Sequence, residues 1–396
     1  MACRYAVLGA GMQGVAAAYD LAEFGQAERV LLVDIDPSRA EGGAARVNRL
    51  LGEELVQPRQ LDVRDQEGLV GLLRDADIDV ALSAVPYYFN LEITRAAIAA
   101  GTGLCDLGGN TKLVLEQLEL SAEAEAAGVT IIPDCGLAPG MSTTLAVYAI
   151  SRMERPREVH IRCGGLPQRP LPPLGYKLVF SIEGLTNEYL ERAYLLRGGR
   201  VVEVESLTEL EELEFPPPVG RCEAFITSGG TSTCPWTFAG KLEEFDYKTV
   251  RYPGHCEKFK AMLELGLLEP EPVQVGDCRV APRALFHKVV APRLAFPEEP
   301  DLVVLRVICR GEDASGPVEV QLDLMDFYDE MTGFSAMART TGFSAAIVAA
   351  MIAQGRLREK GGVIPVERAV PPEPFLAELA RRGFKLTERA TRTLSG

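Results

Sequence analysis

Gly9, Gly11 and Gly14, with Asp34 placed 20 residues beyond the last of them, are the residues whose spacing speaks most directly of chemistry. They stand in RYAVLGAGMQG, where Met12 and Gln13 fill the motif, and the acid closes the apolar run of RVLLVD. The first glycine of such a loop permits a tight turn, the second lets backbone approach a pyrophosphate, and the third lets the helix pack closely on the strand. The free N–H groups at that helix start face an anion. An acid at this distance accepts ribose hydroxyls and repels a 2′-phosphate. The pattern points to a dinucleotide, NAD in preference to NADP; glycines kept for packing alone are the structural alternative.

A loop of this kind works at the edge of a parallel sheet, and the sequence that follows has the grammar of one. Strand-like runs at 59–61, 80–84, 104–107 and 129–132 alternate with helical stretches at 37–51, 91–100 and 113–127. With the first two strands these make six, the count of a doubly wound Rossmann domain over residues 1–135. Ligands bind at the strand ends of such sheets. Asp62 and Val63 end the third strand, where they can cap an adenine. Ser83, Val85 and Pro86 end the fourth, where small residues leave room for ribose and nicotinamide. Asp106 and Gly108 end the fifth, where glycine lets backbone run beneath a nicotinamide or substrate; a helix-entry turn is the alternative there.

From residue 134 the pattern changes. PDCGLAPG over 133–140 reads as a rigid loop, and 157–330 alternates short β-type runs with proline-rich connections. This predicts an α+β substrate and dimerisation domain with a mixed sheet over 136–334. The stretch 336–354 is apolar nearly all round and must be buried. Together with an amphipathic helix near 374–383, it predicts a helical return over 335–396 onto the Rossmann domain.

Composition narrows the class. The chain has 396 residues, a formal charge of -15 and 24% charged residues, with no net basic footprint for nucleic acid or anionic membrane. No uninterrupted apolar run of about 18 residues is evident and the first strand begins almost at once, so the expected location is the cytoplasm. Nine cysteines without a CxxC pair argue for reduced thiols, with no metal site expected. Cys135, in the glycine-rich loop, is the one to watch.

Four segments beyond the Rossmann part carry a resemblance. They are SIEGLTNEY at 181–189, EAF at 223–225 with TSGGTST at 227–233, KTVRYPGH at 248–255, and YDEMTG at 328–333 running into MARTTG at 337–342. With the loop at 134–140 they resemble the saccharopine dehydrogenase-like superfamily across nearly the whole chain, and within it lysine 6-dehydrogenases most. Val250 stands where that family usually has leucine, a change without chemical consequence. The resemblance implies NAD-dependent oxidation of the ε-carbon of L-lysine with release of ammonia, the semialdehyde cyclising to piperideine-6-carboxylate. It also implies a homodimer or larger assembly built through the second domain's sheet. A saccharopine-type or carboxynorspermidine-type reaction on a secondary amine is the alternative, and a dinucleotide sensor without turnover is a third reading.

Such a reaction sets demands on the site. Hydride leaves only from a neutral amine, and neutralising an ammonium of pKa about 10.4 near neutral pH costs about 4–5 kcal/mol. The pocket must desolvate the amine and supply a base. His255, fixed behind a Pro-Gly turn, is the leading base, with Asp106 as the alternative; a histidine that only caps the turn is the structural reading. Arg251 or Arg339 can grip the α-carboxylate, with Thr340 adding donors. Glu183 and Asn187, beside Tyr189, can hold the α-ammonium or a water, unless that helix start only fixes the domain interface.

Overall fold

The computed structural model describes residues 2–392; Met1 and the last four residues of the expected C-terminal segment lie outside the described residues. Six parallel strands, β1 (Cys3–Leu8), β2 (Ala27–Asp34), β3 (Val56–Gln60), β4 (Val80–Ser83), β5 (Gly103–Asp106) and β6 (Thr130–Ile132), run in the order β3-β2-β1-β4-β5-β6. The order reverses beside β1, the switch point where open α/β sheets bind ligands. The intervening helices are α1 (Met12–Phe24), α2 (Pro37–Leu51), α3 (Gln66–Asp75), α4 (Asn90–Ala100), α5 (Thr111–Glu119) and α6 (Ser121–Ala126). β3 lies earlier in the chain than its apolar residues suggest and contains Pro58, which an edge strand tolerates because it needs no second ladder of donors. The single helix expected over 113–127 is two, divided at Leu120.

After α7 (Ser142–Ser151) the chain builds a second, mixed sheet. Its main path joins β7 (Arg155–Pro167), β10 (Glu211–Phe215), β11 (Gly220–Ile226), β12 (Glu244–Arg251), β15 (Asp301–Asp313) and β16 (Gly316–Phe327). The smaller β8 (Ala193–Arg197) and β9 (Arg200–Val204) hang from β12. β7 and β12 are parallel, whereas β7–β15 and β15–β16 form long antiparallel ladders. The helix α8 (Ile182–Leu190) lies in the β7–β8 connection, and β13 (Val273–Val275) with β14 (Cys278–Val280) forms a separate hairpin.

The C-terminal segment divides itself between the two sheets, a correction to the expected all-helical return. The helix Ala336–Ala353 packs against α1, β4 and β5, and β17 (Gly362–Val363) adds a seventh strand beside β6. The helix Pro372–Arg381 packs on α7, and β18 (Leu386–Arg392) pairs with β16 of the second sheet. Ala336–Ala353 has a mean hydropathy of 1.4, so it is long and apolar enough to cross a membrane, contrary to the reading of the sequence. In the fold 78% of it is buried. One hydrophobic core therefore runs unbroken from Val7 and Leu32 through Leu145 and Ala346 to Val303 and Leu305. Removing that area from water at about 25 cal/mol per Å² favours docking of the two sheets.

Candidate functional site

A cleft of about 830 Å³ lies between the strand ends of the first sheet and one end of the second. Its first half is the glycine loop. Gly9 has φ +104, which other residues rarely adopt, and a Cβ there would sit 2.7 Å from the Ala84 carbonyl oxygen. A Cβ on Gly14 would lie 1.8 Å from the Gly9 oxygen, so this glycine serves the packing of α1 on the loop rather than the cleft. Gly11 faces open space and lines the cleft with Gly9 and Gln13. Met12 is 54% exposed and does not line it. Asp34 is held in the cleft wall, its carboxylate accepting the Ala10 and Asp36 N–H groups at 2.8 and 2.9 Å. Asp62, Val63, Val85, Pro86 and Gly108 line the same half. Open space over Gly11, a fixed acid and small strand ends fit a dinucleotide. Ser83 is a correction: it is 1% exposed, and its hydroxyl donates to Asn90 Oδ1 at 2.8 Å instead of facing the cleft.

The second half comes from β7, α8, β12 and Ala336–Ala353. In β7 the segment Cys163-Gly164-Gly165 forms a floor with little side chain, and a Cβ on Gly165 would be 2.4 Å from Met337 Cε. Arg251, at the end of β12, is 2% exposed and reaches the cleft wall. Its Nε donates to the Tyr189 hydroxyl at 3.0 Å, its Nη1 to the Val250 carbonyl at 2.9 Å, and its Nη2 stands 3.9 Å from Glu188 Oε2. Burial lifts the Glu188 pKa to about 7, with Arg251 opposing the shift; its side chain is a third exposed and lines the cleft. Glu183 and Asn187 line the cleft as expected. Asn187 donates to the Tyr87 hydroxyl at 2.9 Å, and Asn110 donates to both Glu191 oxygens at 3.1 and 3.0 Å, so α8 is tied across the cleft to the first domain.

Both expected bases are displaced from the cleft. His255 is 0% exposed, with Nε2 3.0 Å from the Tyr189 hydroxyl and Nδ1 3.1 Å from the Leu174 carbonyl. It begins the helix His255–Glu264 behind the wall: the Pro253-Gly254 turn is at the surface, and the ring turns inward to stack on Phe225 and Phe259. Asp106 is 0% exposed, and it accepts the Gly108 and Asp134 N–H groups at 2.8 and 3.0 Å and the Gln117 amide at 2.9 Å. It brackets the ends of β5 and β6. Cys135 is buried, its thiol donating to the Ile132 carbonyl at 3.2 Å, and burial holds its pKa well above the ordinary value.

The MARTTG segment is corrected too. A helix turns about 100° per residue, so only one of Arg339, Thr340, Thr341 and Gly342 can face the cleft squarely. Thr341 does. Arg339 Nε pairs with Asp326 at 2.9 Å, pinning the helix to β16, and the Thr340 hydroxyl donates to the Ala336 carbonyl at 2.8 Å. Glu188 is a site residue that no sequence motif singles out, although Gly184, Asn187 and Glu188 fall at helical spacing on one face. Its partnership with Arg251 had no sequence signal.

A Rossmann sheet with an intact glycine loop, opening onto a charged cleft completed by a second domain, defines a dinucleotide-dependent oxidoreductase. Residues 5–132 match the family profile "Saccharopine dehydrogenase NADP binding domain", and 136–384 match "Saccharopine dehydrogenase C-terminal domain". The chain belongs to the saccharopine dehydrogenase family, as the resemblance in its sequence implied. It is 24% identical to the saccharopine dehydrogenase [NADP(+), L-glutamate-forming] of Saccharomyces cerevisiae, over 83% of this chain and 88% of that one. It is also 24% identical to the mitochondrial alpha-aminoadipic semialdehyde synthase of Bos taurus, covering 85% of this chain but only 43% of that longer protein. Carboxynorspermidine synthase of Vibrio alginolyticus is 22% identical over 83% of this chain and 82% of its own. The solved apo structure of the yeast saccharopine dehydrogenase shares the fold, with a TM-score of 0.76 over 98% of this chain and 100% of that one, at 21% identity.

Proposed function

We propose that this protein catalyses the NAD-dependent oxidative deamination of a primary amine on an amino acid, with the ε-amine of L-lysine as the substrate favoured. The observation that carries this reading is the charge inventory of the cleft's second half. Among the described residues lining it, Arg251 is the one cation contributed by the second domain, and that domain adds two acids, Glu188 beside Arg251 and Glu183, which stands 3.8 Å from His287 Nδ1. Saccharopine carries several carboxylates and would need several cations. A lysine carries one carboxylate and two amines, which matches one guanidinium and two carboxylates.

Arg251 binds the substrate's carboxylate, and Glu183 with Asn187 holds its α-ammonium. Glu188 takes the proton from the reacting ammonium, because a carboxylate with a pKa near 7, partly open to the cleft, can do so without a prohibitive mismatch. The low-polarity floor of glycines and Met337 disfavours the charged amine. The same carboxyl then passes protons to and from the water that replaces the nitrogen. Gly9, Gly11, Gln13 and Asp34 hold the dinucleotide, which supplies the hydride acceptor when bound. Asp34, fixed by two backbone N–H groups, repels a 2′-phosphate and so favours NAD. Arg39 and Arg64 line the same wall, and they support NADP as the second reading of the cofactor. The yeast and Vibrio relatives' names support a secondary-amine substrate as the second reading of the reaction.

A panel of lysine, ornithine, saccharopine and diamines with NAD or NADP tests this, following reduced dinucleotide and ammonia together. Lysine-dependent reduction of NAD with equimolar ammonia is expected. Reduction with saccharopine, releasing glutamate and no ammonia, would replace this reading with the second one.

A further inference from the structure

Behind the cleft wall a buried chain of hydrogen bonds links Arg251 to the backbone at Leu174. Arg251 Nε lies 3.0 Å from the Tyr189 hydroxyl, that hydroxyl 3.0 Å from His255 Nε2, and His255 Nδ1 3.1 Å from the Leu174 carbonyl oxygen. The direction of every bond follows from the two ends. A carbonyl oxygen only accepts, so His255 Nδ1 carries a proton and donates to it. Burial, with the Arg251 charge nearby, pushes the His255 pKa down to about 3. The ring is therefore neutral at ordinary pH, and Nε2 keeps its lone pair. The Tyr189 hydroxyl must then donate to Nε2, which leaves its oxygen to accept from Arg251. A guanidinium only donates, so all three bonds are satisfied by a single arrangement of protons.

We propose that His255 and Tyr189 are positioning residues that fix the rotation of the Arg251 guanidinium before substrate arrives. Tyr189 holds Nε and the Val250 carbonyl holds Nη1, while Nη2 makes no hydrogen bond among the described residues and stands beside Glu188. The fork is thus presented to the cleft with its orientation already set. A guanidinium ordered in advance loses less freedom when it grips a carboxylate. The role in substrate binding rests on the reading of Arg251 given above; the proton arrangement of the chain does not.

Two measurements on the full-length protein separate these layers. Histidine-selective ¹⁵N NMR, with His255→Gln to assign the signal, reads the tautomer directly. The expected spectrum shows a protonated Nδ1 and an unprotonated Nε2, unchanged down to about pH 5. A protonated Nε2, or an imidazolium at neutral pH, overturns the chain.

Kinetics with lysine and with 1,5-diaminopentane, which lacks the carboxylate, then read the consequence. Tyr189→Phe and His255→Leu are expected to raise KM for lysine about tenfold, with kcat little changed and the diamine unaffected. His255→Gln, which restores an acceptor to Tyr189, is expected to recover most of that loss. Equal losses on both substrates, or none, overturn the positioning role; Tyr189→Phe carries this test should His255→Leu fail to fold. Arg251→Lys is the control for the underlying reading. If it leaves the preference for lysine over the diamine unchanged, the carboxylate assignment of Arg251 fails and the positioning role fails with it. If that preference falls with Arg251→Lys but not with Tyr189→Phe, only the positioning role fails.

Discussion

Glu188 shows how much one side chain depends on its surroundings. On an exposed helix its carboxyl would titrate in the ordinary acid range; here burial lifts it to about 7, while Arg251 keeps it from rising further. A base must be ionised to accept a proton, so kcat/KM for an amine substrate should rise with pH through about 7. This limb is separate from the one set by the substrate's own ammonium at higher pH. Glu188→Gln should lower kcat by about 10²-fold or more and abolish the limb near neutrality. A pH–rate profile of wild type and variant checks this, and a limb that survives in the variant assigns proton transfer elsewhere.

At the scale of elements, the contact between α1 and the helix Ala336–Ala353 leaves no room for a side chain at Gly342. A Cβ on Gly342 would lie 2.7 Å from the Gln13 carbonyl oxygen and 3.0 Å from the Ala17 nitrogen. Both neighbours are backbone inside a helix and cannot rotate away. Gly342→Ala should therefore push the helices apart, costing about 1–3 kcal/mol. Because Gln13 lines the dinucleotide half of the cleft, the same substitution should weaken dinucleotide binding. Thermal melting without dinucleotide and with NAD or NADP tests both consequences. An unchanged melting temperature in the absence of dinucleotide would show that the close approach is not tight in solution.

Across the whole molecule the domains meet at a pair of buried acids. Asp134 follows β6 with φ 61, is 3% exposed, and accepts a hydrogen bond from the Ser232 hydroxyl of the second domain. Burial, reinforced by the neighbouring Asp106, lifts its pKa to about 8. The unfolded chain gives up this proton near 3.8, whereas the folded chain keeps it to about 8. Between those values the folded state binds the extra proton, so stability falls as pH rises. The contribution is complete below the unfolded pKa and is lost as pH climbs through the folded one. Asp134→Asn, which mimics the neutral acid, should flatten the decline in melting temperature between about pH 5 and pH 9. Parallel declines in wild type and variant would remove Asp134 as its source.

The sequence by itself determined the Rossmann sheet, the glycine loop and the acid on β2, because these are local. Tight turns, helix starts and two- or four-residue periodicities are decided by neighbours in the chain. It also held the family resemblance and the cleft positions of Glu183, Asn187 and Arg251. It could not decide that His255, Asp106, Arg339 and Thr340 turn inward, because a side chain's direction depends on packing between segments far apart in the chain. Nor could it show Glu188 beside Arg251, 63 positions away. That pairing exists only because α8 folds over the end of β12. The tertiary structure supplied the desolvation that moves one carboxyl toward neutrality, together with the buried chain behind the arginine, since both depend on what surrounds a group rather than on which group it is.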